Sequence, residues 1–114
     1  MMEENVLQEK WEKVLAKVAD RFGEELDEHT ILYIIGLQEL NKPHQVFKKE
    51  EKVDIIHIGI CTVLSKYGYY RFMGKDEDGW PHFKNVKKIP SNVKGRKQLL
   101  LMRKAIVDYF EERI

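Results

Sequence analysis

The sequence predicts a mainly α fold: a four-helix domain with a two-stranded β-hairpin between the third and fourth helices. Three observations predict it. Apolar residues recur at helical spacing in four segments, and the first three run into Gly23, Asn41-Lys42-Pro43 and Gly68. After Gly68 the pattern becomes aromatic-rich, with the turn-forming pair Asp78-Gly79 beyond it. The chain has 114 residues, of which 43% are hydrophobic and 34% charged, enough for a core and a solvated surface in one globular domain spanning residues 1–114.

Each element has its own signature. In residues 3–22, Leu7, Trp11, Val14, Leu15, Val18 and Phe22 form one stripe of a 3.6-residue helix, and Gly23 offers a C-terminal cap. A second helix starts after the N-cap residue Asp27 and runs to Leu40. Its apolar residues cover most of the circumference, so burial on several sides is expected. The third helix covers about 48–66. It opens on charged residues and becomes apolar in IIHIGICTVL, which makes it the expected central helix. Tyr69 to Met73 and Trp80 to Val86 read as two strands, and KKIPSNVKG (87–95) reads as a connector. The last helix, 96–112, carries the stripe Leu99, Met102, Ile106 and Phe110.

Composition excludes several classes. Cys61 is the only cysteine, so no intrachain disulfide can form, which fits a reducing compartment. The N-terminus MMEENVLQEKW is acidic and polar, unlike a secretory signal. The longest apolar runs fall far short of the about 20 residues that span a bilayer. A cytoplasmic protein without membrane association is expected. Charge is unevenly spread: residues 1–30 hold nine acids and four bases, and residues 80–114 nine bases and three acids. Lys87, Lys88, Lys94, Arg96 and Lys97 are therefore candidates for binding an anion or nucleic acid. The competing expectation is that this basic segment lies against the acidic first helix.

Motifs for chemistry are sparse. In KDEDGWPHF (75–83), aligning Gly79 with the glycine of an EF-hand loop puts Gly74 and Asn85 at the first and last ligand positions. A calcium site of that type is therefore excluded, and a solvated turn is expected. Asp54, His57 and Cys61 stand at i, i+3 and i+7 on one side of the third helix. All three types bind zinc, but together they supply at most three ligands. The alternative is a buried His57 hydrogen-bonded to Asp54 or to a backbone carbonyl, beside a small core thiol. Burial would raise the Cys61 pKa and disable it as a nucleophile. No phosphate-binding glycine loop is present, since GKDEDG lacks the closing lysine and hydroxyl. No catalytic set and no cofactor are expected.

With a six-residue loop over 74–79, Met73 faces Trp80, Arg71 faces His82 and Tyr69 faces Lys84. Alternation then puts Tyr70, Phe72, Pro81 and Phe83 toward the helices. Tyr69, Arg71, Met73, Trp80, His82 and Lys84 look outward, a composition typical of interaction hot spots; the competing expectation for Trp80 is that it folds over the hairpin or packs on the acidic first helix. The expected function is a non-enzymatic interaction module acting through this face and the adjacent basic segment, on a protein partner or a second copy of itself as a dimer. Alternatives are a winged-helix-like nucleic-acid-binding protein and a metal-binding or enzymatic protein using Asp54 and His57. Against the winged-helix alternative, the helix before the hairpin is apolar all round and Asp76, Glu77 and Asp78 at the tip would repel phosphate. The segments IIGLQEL, GYYRF and DEDGWPHF together resemble a group of short uncharacterised bacterial proteins over most of their length. That resemblance implies a bacterial cytoplasmic origin and carries no activity, cofactor or site.

Overall fold

The computed structural model of the chain describes residues 2–24, 26–41 and 46–113. It contains α1 (Met2–Phe22), α2 (Glu28–Leu40), α3 (Lys49–Ser65), β1 (Tyr70–Lys75), β2 (Pro81–Asn85) and α4 (Arg96–Arg113). The two strands form one antiparallel sheet between α3 and α4. No helix among the described residues is long and apolar enough to cross a membrane.

Local chemistry explains where the helices begin and end. The Asp27 carboxylate accepts a hydrogen bond from the Thr30 amide at 2.8 Å, and this bond holds its pKa below the ordinary aspartate value. Asn41 takes a left-handed conformation (φ 51°) and donates its N–H to the Leu37 carbonyl, ending α2. Lys42 and Pro43, the other expected stop signals, lie outside the described residues. At the start of α3 the Glu51 carboxylate reaches back to the Lys48 amide at 2.9 Å. Gly23 and Gly68, at φ 84° and 81°, turn the chain after α1 and α3.

All four helices meet in the main core. α1 contributes Trp11, Val14 and Val18, α2 contributes Ile31, Leu32 and Ile35, and α3 contributes Val63 and Leu64; Ala105 to Val107 and Tyr109 come from α4. Each fully buried aliphatic side chain contributes about 1.5–3 kcal/mol relative to exposure. A second, smaller cluster of Leu40, Phe47 and Ile55 lies where α2 gives way to α3. Two residues of the expected stripes fall outside the core: Phe22 and Leu99 are exposed, one at the end of α1 and one near the start of α4.

The closest backbone approach is between α2 and α3. A Cβ added to Gly36 would come within 2.0 Å of the Ile55 carbonyl oxygen, and one added to Gly59 within 2.1 Å of the Leu32 carbonyl oxygen. The contact is reciprocal, because Leu32 and Ile55 each lie four residues before the glycine of their own helix. A glycine Cα hydrogen points at a carbonyl of the opposite helix in both halves, the arrangement of a Cα–H···O contact.

Arg103 joins three helices. Its Nε donates to the Glu28 carboxylate at the start of α2 at 2.8 Å, and its guanidinium lies 5.4 Å from the Trp11 ring of α1. Both partners of this ion pair are about three-quarters shielded (25% and 24% exposed), unlike the more open Arg96–Glu4 and Lys10–Glu111 pairs.

Replacing Gly36 or Gly59 by Ala should each destabilise the fold by about 1–3 kcal/mol or more, as overpacking does. Urea unfolding measures it. A loss below about 0.5 kcal/mol, the scatter of neutral surface changes, would show that the helices do not cross at these glycines.

Candidate functional site

The hairpin is built around Asp76. One carboxylate oxygen accepts hydrogen bonds from the amides of Asp78 (2.9 Å) and Trp80 (3.0 Å), and the other lies 2.9 Å from His82 Nε2. The Asp76 amide donates to the Trp80 carbonyl, and the Gly79 amide to the Asp76 carbonyl. Gly79, at φ 85°, allows the turn. The carboxylate that suggested a metal ligand is therefore committed to its own loop. His82, followed by the two amides, holds the Asp76 pKa below the ordinary aspartate value. Glu77 and Asp78 are exposed.

The register differs from expectation. Phe72 pairs with Phe83, not Pro81, and Arg71 pairs with Lys84, not His82; Met73 is bulged out between Phe72 and Gly74. The loop closes over Asp76 to Trp80 because Asp76 supplies its own acceptors, and Gly74, at φ 111°, absorbs the bulge. Below the bulge the pairing is displaced by two residues. Side chains alternate with a period of two, so the faces survive the displacement. Phe72, Pro81 and Phe83 line the space toward α3 and α4, and Tyr70 meets the His57 ring of α3 edge-on at 6.2 Å.

Among the six outward candidates, Arg71, Met73, His82 and Lys84 are exposed. His82 is engaged by Asp76. Trp80 is half-buried and packs edge-on against Phe47, with ring centroids 6.3 Å apart, in the smaller cluster. Strand alternation does not apply to it, because it is the last loop residue before β2. Tyr69 precedes β1 and packs on the main core, with Lys87 Nζ 4.8 Å above its ring.

The inner face of the hairpin stands off the helices and leaves a cleft of about 470 Å³. Phe72 and Phe83, 5.6 Å apart, form one wall. Thr62 and Ser65 of α3, Lys66 just after it, and Ala105, Tyr109 and Glu112 of α4 contribute to the others, with Glu39 of α2. Polar contacts brace these walls: Lys66 pairs with Glu112, and the Tyr109 hydroxyl donates to Gln38 at 3.0 Å and approaches Glu39 at 3.3 Å. Close by, the Tyr67 hydroxyl donates to Asp108; burial first and this carboxylate second push the phenol pKa above its ordinary value. Phe72, on the cleft wall, remains 52% exposed, and Met73, bulged out of the pairing next to it, 55%.

The remaining candidates are dispersed. Arg96 reaches Glu4 of α1 at 3.4 Å, the expected contact of the basic segment with the acidic helix, while Lys88, Lys94 and Lys97 are exposed. His57 is exposed rather than buried: it lies one turn before the buried Cys61, and its ring meets Tyr70 at the base of the hairpin instead of the core. Its Nε2 lies 3.4 Å from Cys61 Sγ, and Asp54 is exposed. No three His, Cys, Asp or Glu side chains among the described residues converge on a metal position. Burial pushes the Cys61 thiol up to about 11, so it stays protonated at neutral pH. Sequence reasoning missed the bulge and the cleft and left the direction of Trp80 open; Gly74, a β-breaking residue directly after the aromatic run, was the available signal for the first.

No family model, no curated protein and no solved structure matches the chain.

Two outcomes follow. The folded-state pKa of Asp76 is depressed, so its contribution to loop order is fully present above the ordinary aspartate range (about 3.9) and is lost as pH falls through the depressed value. The Trp80 amide resonance should hold steady down to about pH 4 and move below it, and Asp76→Asn should speed hydrogen exchange at the Asp78 and Trp80 amides. Second, native protein at pH 8 should react slowly with an aromatic disulfide reagent, and urea should release the reaction; immediate native labelling would contradict a buried thiol.

Proposed function

We propose that the chain is a non-enzymatic interaction module that engages a protein partner, or a second copy of itself, through the hairpin. The observation that carries this reading is an exposed apolar pair on β1: Phe72, which lines a preformed cleft, and Met73 beside it in the bulge, both more than half exposed. Large apolar side chains held in water beside a concave surface favour a partner that covers them. A partner side chain of apolar character would enter between the Phe72–Phe83 pair and α3. On the other face Arg71 stands directly across from Lys84. Like charges in register cost the hairpin a little stability, and an acidic group on a partner would offset it. Nucleic acid fits this surface less well, since its phosphates would meet Asp76, Glu77 and Asp78 at the tip.

The test replaces Phe72 and Met73 together by Ser. Both are more than half exposed, so melting temperature should fall only slightly, by the loss of the Phe72–Phe83 contact; Trp80 is unsuited to this purpose because it is half-buried against Phe47 in the smaller cluster. Tagged wild type and variant are compared by quantitative mass spectrometry of proteins captured from cells that make the protein, and by sedimentation equilibrium. A captured partner, or dimerisation, should weaken by about tenfold or more, as for loss of a hot-spot side chain. Equal capture and equal association states would refute the reading.

A further inference from the structure

A second groove, of about 380 Å³, lies along one flank of α1 between α2 and α4. Its floor is apolar, with Val14 and Val18 of α1, Ile34 of α2 and Phe110 of α4. Its rim is a row of cations. Lys10, Lys13, Lys17 and Arg21 follow one another at spacings of three, four and four residues, so they share one side of α1. Among the described residues Glu111 is the only acid lining the groove, and it is paired with Lys10 at 3.3 Å. Among the described residues no carboxylate pairs with Lys13, Lys17 or Arg21. The stripe is hidden in the sequence because residues 1–30 are acidic in sum.

Charge spacing selects the occupant. The stripe from Lys10 to Arg21 runs about 16 Å at 1.5 Å per residue. The single head group of an amphiphile would engage one end of it and leave the rest unpaired. A nucleic-acid backbone would match the cations but leave Ile34 and Phe110 uncovered. A helix carrying an acid on each turn, beside apolar residues at i, i+3 or i+4 and i+7, satisfies rim and floor together. We propose that this groove docks an acidic amphipathic helix of a protein partner. The site is separate from the hairpin and does not depend on the reading given for it.

The probe is a labelled synthetic helix of roughly 14 residues, with Leu along one face and Glu beside it, followed by fluorescence anisotropy. Wild type should bind it saturably. Lys13→Glu combined with Lys17→Glu should weaken binding at least about tenfold, with the fold intact because both side chains are exposed. A peptide with Lys in place of Glu should recover binding to that variant, and the Phe72→Ser, Met73→Ser protein should bind the acidic peptide as wild type does. Absence of saturable binding, or equal binding by the charge-reversed variant, would overturn the proposal. So would tighter binding of phosphatidylglycerol vesicles or a single-stranded oligonucleotide through the same two lysines, which would assign the stripe to phosphate.

Discussion

The distance between α2 and α3 is set where Gly36 meets the Ile55 carbonyl and Gly59 meets the Leu32 carbonyl. A glycine inside a helix costs about 1 kcal/mol relative to alanine, and this crossing contains two. The return is contact between the two most apolar helices at backbone range, which lets Leu32, Ile35, Ile55 and Ile58 interlock with almost no exposed surface. Once α2 and α3 are joined this closely, α1 and α4 find a continuous apolar surface to cover. The far end of α3 is then held in place to carry the hairpin.

The hairpin shows how a two-stranded sheet persists without a third strand. Isolated hairpins are marginal in water, and this one is tied at both ends. At the tip, Asp76 organises the loop and Trp80 reaches the Phe47 cluster. At the base, the Tyr69 carbonyl accepts hydrogen bonds from the Val86 amide and the Asn85 side chain. The acids of the tip serve different ends: one builds the loop, and its neighbours remain in water.

The helices were legible in the sequence because their signals are local. Asp27, Asn41 and Gly68 act within a turn of their own position, and apolar periodicity needs no partner to be read. The features that stayed hidden are relations between distant residues. Nothing near Gly36 in sequence announces Ile55, although a glycine tolerated inside an apolar helix is itself a hint of close approach. The inner face of the hairpin was readable despite a wrong register, because the two-residue displacement below the bulge leaves Phe72 and Phe83 on one side of the sheet and Arg71 and Lys84 on the other. The direction of Trp80 was not, because a loop residue has no alternation to obey. The cation stripe on α1 was lost in a net charge of opposite sign.

Fastening the hairpin at both ends has a consequence for recognition. A surface that must be ordered at the moment of contact loses rotamer and backbone entropy there, at about 0.5–1.5 kcal/mol for each immobilised side chain. Here the wall formed by Phe72 and Phe83 is already held by Trp80 on one side and Tyr69 on the other. Much of that entropy was surrendered when the chain folded. Under the proposed reading, a partner group would meet a wall largely formed in advance, so a modest contact area would suffice for useful affinity.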